Sequence, residues 1–214
     1  MFSAAIFDMD GLLLDSERCL MTAWLSASRE YGMPLAEDDY LYTVGRNAAE
    51  SRERLVEALH GENNYRAVQE GVCNRLGPES QRVFPLKPGA IDLLTLLSEM
   101  RVPRAVASST RSGEIRRRLA AVGVLQRFSA FAGGDEVARG KPDPAVYELA
   151  ARRMGAAPSS CLVFEDSENG ATAALRAGMA VVVVPDIRAP RIADALATLP
   201  SLSAVVPHVR DWFI

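Results

Sequence analysis

FDMDGLLLDSE, residues 7–17, sets three aspartates and a glutamate directly after the apolar run AAIF at 4–7. Asp8 and Asp10 are separated by one residue. In extended backbone, residues i and i+2 face the same side, so both carboxylates can lean into one small volume. Like charges held that close repel and raise a pKa. The pair therefore calls for a cation, a proton or open water beside it.

Outward from this cluster the chain changes character twice. Residues 2–7 predict a short buried strand. From about Ser16 to Leu86 the β-branched runs vanish and helical periodicity takes over. In ERCLMTAWLSASREYG, Leu20, Met21, Trp24, Leu25, Ser28 and Tyr31 share a stripe that Gly32 ends. Leu55, Val56 and Leu59 form a second apolar face closed by Gly61, and a third helix ends at Gly77 and Pro78. From Pro88 strand and helix alternate. PRAVASS, SAFAGG, CLVFED and AVVVVP read as strands, with GEIRRRLAAVG, DPAVYELAARRMG and SENGATAALRAG as helices. Asp143 is the expected N-cap of the second of these helices, with Pro144 at its first position and Gly155 as its C-terminal cap. The fold class this implies is α/β, a Rossmann-like three-layer core with a parallel sheet. Its expected extent is 1–15 and 87–214, with an all-α cap at 16–86 inserted after the first strand.

Open α/β sheets bind ligands beyond the carboxyl ends of their strands. There the sequence places Asp8 and Asp10, then Ser108, Ser109 and Thr110, then Glu165 and Asp166, with Lys141 in GKPDP between the last two sets. Singly, each has a local explanation as turn, cap or solvated loop residue. Together, Asp8, Asp166 and Glu165 make an all-oxygen site suited to Mg²⁺, which takes one or two carboxylates plus a substrate phosphate. The hydroxyls and N–H groups after Ala107 suit a phosphate, and Lys141 offsets carboxylates and phosphoryl oxygens alike. Asp8 then attacks phosphorus to form an aspartyl-phosphate. Asp10 protonates the departing alkoxide and later deprotonates water, help worth roughly 10²–10⁴ in rate.

Composition excludes other classes. Hydrophobic residues at 49% and charged residues at 24% rule out a disordered chain. A net charge of -3 argues against a nucleic-acid surface. The densest basic run, RSGEIRRRL at 111–119, reads as a solvated helix face, with anion contact the lesser alternative. Cys19, Cys73 and Cys161 fit reduced thiols in a cytoplasmic protein. The N-terminus lacks the form of a signal peptide. MAVVVVP is too short to span a bilayer, so no membrane partner is expected. With no heptad or long exposed apolar run, a monomer is expected.

FDMDG, the serine in AVASST, GKPDP and FEDSENGATAALRAGM, in that order, resemble the four motifs of the haloacid dehalogenase superfamily. The resemblance spans the whole chain. It is closest to the branch with a helical cap after the first motif, which holds β-phosphoglucomutases and sugar-phosphate phosphatases. It implies Asp8 as nucleophile, Asp10 as acid/base, and Ser108 and Lys141 as phosphate contacts. It further implies Asp8, Asp166 and the backbone carbonyl of Asp10 as Mg²⁺ ligands, with Glu165 supporting the metal site. Dehalogenases and phosphonatases of the superfamily lack an aspartate at the second position, so Asp10 argues against both. β-Phosphoglucomutases carry a histidine where DSERCLMTAW places Leu20. Its absence favours a phosphatase, similar to those acting on deoxysugar phosphates or pseudouridine monophosphate.

Glu17, Trp24, Arg46 and Asn47 are the candidates for facing the leaving group. Trp24 also reads as cap core, Glu17 as a helix-entry charge, and Arg46 as a loop residue or second anion contact. Three functions stay open at this point: a Mg²⁺-dependent phosphatase of a small phosphorylated metabolite, a phosphomutase, and a non-catalytic binding protein on the same fold.

Overall fold

A computed structural model of the chain describes residues 1–44, 46 and 48–213. One sheet is built from β1 (Ala4–Phe7), β2 (Arg104–Ser108), β3 (Ala130–Gly133), β4 (Cys161–Glu165), β5 (Ala180–Val183) and β6 (Ala197–Thr198). Their order is β3-β2-β1-β4-β5-β6, with every neighbouring pair parallel. Such strands are covered on both faces, which is why they read as apolar runs with few polar alternations. The order reverses around β1, which pairs with β2 on one side and β4 on the other. Ligands of open α/β sheets bind at such a switch point.

Alternation along each strand sorts the core into two layers. Ala5 and Phe7 of β1, with Leu162 and Phe164 of β4, face one cluster. Helices α5 (Ala90–Glu99), α6 (Ser112–Ala121), α9 (Leu202–Val205) and α10 (Val209–Trp212) cover it. Phe7 and Phe164 stack at 4.9 Å, and each buried ring contributes about 1.5–3 kcal/mol. Ala4, Ile6, Cys161 and Val163 face the other cluster, under α7 (Ala145–Met154) and α8 (Glu168–Arg176). Small residues on those two helices, Ala150, Ala151, Ala171, Ala173 and Ala174, all lie in this layer.

Between β1 and β2 run α1 (Ser16–Glu30), α2 (Glu37–Leu41), α3 (Ala48–Ala58) and α4 (Glu62–Leu76). They share a core of their own that includes Trp24, Tyr40, Leu59, Tyr65 and Val68. The two chain crossings pair with each other: Asp15 N–H donates to Pro85 O at 2.9 Å and Lys87 N–H to Leu13 O at 2.8 Å.

Several expectations are corrected. The first strand begins at Ala4, and Phe2 makes only an isolated bridge to Phe213. The buried face of α1 runs through Ala23, Trp24, Ala27 and Ser28, leaving Tyr31 40% exposed past the helix end. Pro144 rather than Asp143 occupies the N-cap of α7, although Asp143 Oδ1 still accepts from Ala145 N–H at 3.1 Å. Strand β6 and the two short C-terminal helices carry no periodicity signal that had marked them. Among the described residues no helix is long and apolar enough to cross a membrane.

Candidate active site

The carboxyl ends of β1, β2 and β4 open on one cavity of about 740 Å³. Asp8, Asp10, Ser108, Ser109, Lys141 and Asp166 all line it, so the parallel sheet converges the residues singled out in the sequence. Asp8 continues the β1 ladder, its N–H donating to Phe164 O at 3.0 Å, and its side chain is buried. Lys141 Nζ lies between Asp8 Oδ1 at 2.5 Å and Glu165 Oε1 at 2.6 Å, with its side chain 3% exposed. Glu165 is fully buried and receives Tyr147 OH at 3.0 Å, Ser167 N–H at 2.7 Å and Ser167 Oγ–H at 2.9 Å. Both its oxygens are thus occupied. A Cβ on Gly170 would stand 1.5 Å from Glu165 Oε1, so only glycine at that point in α8 admits the carboxylate.

Gly11 plays the matching part beside Asp166. Its φ is +82°, a left-handed value that favours glycine, and a Cβ there would meet Asp166 Oδ2 at 2.2 Å. Asp8, Glu165 and Asp166 each offer an oxygen within 4.8 Å of the others. Lys141 is the buried cation set among these three buried carboxylates. Burial pushes the Asp8 carboxyl up to about 7, with Lys141 pulling down and Glu165 pushing up. Burial and the charges of Glu165 and Asp8 hold Asp166 well above the usual range. Glu165 goes the other way: burial would raise it, but Lys141 and the Ser167 hydrogen bonds bring it below its ordinary value. Burial likewise opposes the Lys141 charge, and Asp8 and Glu165 more than offset that. An all-oxygen donor set with surplus negative charge fits a hard divalent cation such as Mg²⁺.

Asp10 shares the cavity but not the acidic cluster. Its Oδ1 accepts from Ser16 Oγ–H at 2.7 Å and Arg118 at 2.8 Å, and its Oδ2 from Thr110 Oγ1–H at 2.8 Å. The two aspartates therefore look onto one space while their side chains take different partners. The phosphate cradle expected after β2 is narrower than its sequence suggested. Thr110 N–H donates to Ser108 Oγ at 3.1 Å, and Ser112 N–H donates to Asp135 Oδ1 at 2.7 Å. The Ser108 hydroxyl, 2% exposed as a residue, keeps its proton to donate into the cavity.

The basic run at 111–119 is a solvated face only in part: Arg111 and Arg116 are exposed, whereas Arg117 is half-buried and Arg118 buried. Arg118 is 8% exposed, donating to Asp10 and, at 3.0 Å, to Glu114 Oε1. Arg117 donates to Glu114 and to Arg82 O at 2.9 Å, and Arg116 lies over the Phe131 ring. Sequence reading missed Arg118, yet a signal was present: Ile115 and Leu119 mark the buried face of α6, and position 118 falls on it.

Of the candidates from the helical segment, Glu17 and Arg46 line the cavity. Burial, followed by the charges of Asp10 and Asp186, pushes the Glu17 carboxyl up to about 8. Arg46 packs 4.0 Å over the Tyr42 ring and donates to Tyr42 O at 2.9 Å. Trp24 does not reach the cavity; it packs 5.5 Å from the Tyr65 ring in the helical core. Asn47 lies outside the described residues.

Residues 2–178 match the haloacid dehalogenase-like hydrolase family. A phosphorylated carbohydrates phosphatase of Thermotoga maritima is 36% identical over 180 residues, 82% of each chain. A protein of Drosophila melanogaster named as a pseudouridine-5'-phosphatase is 36% identical over 214 residues, covering 95% of this chain and 91% of that one. A hydrolase of this family from Deinococcus radiodurans, solved with phosphate and sodium bound, superposes with a TM-score of 0.80 at 25% identity. That superposition covers 99% of this chain and 96% of the other.

Proposed function

The chain belongs to the haloacid dehalogenase-like hydrolase family and is a phosphatase, and from that premise we propose that it hydrolyses a small sugar or nucleotide-like phosphate monoester through an aspartyl-phosphate on Asp8. The observation that carries this reading is the buried Asp8–Lys141–Glu165 set opening on the same cavity as Asp10, Ser108 and Asp166. Mg²⁺, when bound, would be held by Asp8, Asp166 and the Asp10 carbonyl, and would lessen repulsion between the anionic nucleophile and the phosphoryl oxygens.

Asp8 attacks phosphorus as the bond to the ester oxygen breaks. Asp10 gives its proton to that oxygen, so the leaving group departs as an alcohol. A water then attacks the phosphorus of the aspartyl-phosphate and passes a proton to Asp10, releasing phosphate and restoring Asp8. Lys141 and the Ser108 hydroxyl hold the phosphoryl oxygens while charge redistributes over them. Thr110, Ser16 and Arg118 fix the direction in which Asp10 can deliver its proton. Residues 16–86 act as a cap whose closure excludes water, the division from the core falling at the paired crossings near Asp15 and Lys87. Glu17 and Arg46 are the cap's contributions to choosing the leaving group.

A mutase needs a group to manage the second sugar hydroxyl. No histidine lines the cavity among the described residues, and Leu20 packs against the apolar cores. That favours hydrolysis.

The reading is tested by phosphate release from a panel of sugar phosphates and nucleoside monophosphates, with Mg²⁺ and with excess chelator. Release confined to a few compounds and abolished by chelator is expected. Isomer interconversion with a bisphosphate primer and little net release would overturn it.

Arg118→Met gives a second check. It removes a charged hydrogen bond to Asp10, worth about 1.5–3 kcal/mol. The expected result is a kcat lowered about 10- to 100-fold, with Arg118→Lys recovering part of the loss. Unchanged kcat would show that Asp10 does not depend on this contact.

A further inference from the structure

Asp186 follows β5, and its side chain is 1% exposed. Its Oδ1 is held twice, by Lys87 Nζ at 2.5 Å and by Arg18 Nε at 2.9 Å. Arg18 also donates to the Asp186 carbonyl at 2.9 Å, and Lys87 Nζ lies 3.4 Å from Asp15 Oδ1. The carboxylate is therefore clamped by residues that flank both chain crossings. Its other oxygen, Oδ2, is buried and has no hydrogen-bond partner among the described residues.

That oxygen is aimed at the acidic cluster. The point where a Cβ on Gly11 would sit is 3.3 Å from Asp186 Oδ2 and 2.2 Å from Asp166 Oδ2. The two carboxylate oxygens are separated by no more than those distances laid end to end. An unpaired buried acceptor is destabilising, the more so when it is charged. A lone water would supply a donor but bring no charge to the side of Asp186 that faces Asp166, since Lys87 and Arg18 both sit on Oδ1. A water carried by a divalent cation supplies both the proton and the charge.

We propose that Asp186 is a positioning residue for the divalent cation, its Oδ2 accepting a hydrogen bond from a water on the ion that Asp8 and Asp166 would hold. Lys87 and Arg18 fix Oδ1 and so decide where Oδ2 points. Groups that orient a metal's ligands in this way typically change its affinity 10- to 100-fold when lost. The inference rests on the cation site of the proposed function and not on the identity of the substrate.

The test is calorimetric titration of Mg²⁺ into chelator-stripped protein without substrate, for the parent, Asp166→Asn, Asp186→Asn and Asp186→Ser. Circular dichroism and thermal unfolding establish which variants are folded. Folded Asp186→Asn is expected to bind Mg²⁺ about 10- to 100-fold more weakly than the parent. Asp186→Ser, smaller and retaining a neutral acceptor, is expected to fall between and serves if the asparagine variant does not fold. A folded variant of either kind that binds within about threefold of the parent overturns the inference while leaving the cation site standing. If the parent binds no Mg²⁺, or Asp166→Asn binds as well as the parent, the cation reading falls and this inference falls with it.

Discussion

Asp8→Asn is expected to abolish turnover while leaving the metal-free protein at least as stable as the parent. Loss of a covalent nucleophile costs on the order of 10⁴–10⁶ in kcat, because the amide cannot form the phosphoenzyme and little else in the site substitutes for it. The stability half follows from charge. Asp8, Glu165 and Asp166 are buried around one ammonium, and burial already pushes the Asp8 carboxyl up to about 7. An amide of the same shape removes one of three crowded negative charges. In excess chelator the variant should unfold at the parent's temperature or a few degrees above, about 2–4 °C for each kcal/mol of relieved repulsion. Steady-state phosphate release and thermal unfolding check the two halves separately. Turnover within tenfold of the parent would remove Asp8 from the chemistry. A much lower unfolding temperature would mean that the lost activity reflects damage to the fold.

Why so much of this was legible in the sequence, and some of it not, has a physical basis. Strand cores such as AAIF and CLVF are short apolar runs bounded by polar groups, and a parallel sheet must place their carboxyl ends on one edge. That Asp8, Ser108 and Asp166 meet at one edge was therefore legible from position, while their roles, and that of Lys141 in its loop, came from the resemblance of the four motifs. Partner choice was not. Asp8 and Asp10 share a cavity, yet Asp10 turns to Thr110, Ser16 and Arg118, contacts that span 100, 6 and 108 residues of sequence. Arg118 looked like one of three solvated arginines, because composition outweighed its place on the Ile115–Leu119 face. Asp186, one residue past the strand run AVVVVP, carried no expectation in the sequence; its role appears only where Lys87 and Arg18 meet it from the chain crossings. Long-range ion pairs carry no periodicity, so a single sequence does not announce them.

Lys141→Met carries the other large effect, and it falls on folding as well as activity. With the ammonium gone, Asp8 and Glu165 keep their burial and lose the partner that each held at about hydrogen-bond length. Breaking a buried ion pair from one side costs about 3–5 kcal/mol, or roughly 6–20 °C in unfolding temperature. The sign with pH is fixed by the carboxylates. Without Lys141 their folded pKa values stand above the unfolded ones, so the native state binds more protons across the interval between them. Burial already holds Asp8 at about 7 with Lys141 pulling it down, so in the variant the fall in stability in chelator runs on past that pH. Glu165, below its ordinary value in the parent, joins it, and the gap between variant and parent should be wider at pH 8 than at pH 5. Mg²⁺ should close part of that gap, because a cation replaces some of the missing charge. Lys141→Arg is expected to rescue little. The Lys141 side chain is 3% exposed, with two carboxylates at 2.5 and 2.6 Å and the Tyr147 ring at 4.8 Å, so a planar guanidinium finds no room. Thermal unfolding at the two pH values, with and without Mg²⁺, decides the matter. A variant that unfolds within 2 °C of the parent at both would mean that the buried carboxylates take up protons and lean on Lys141 for catalysis alone.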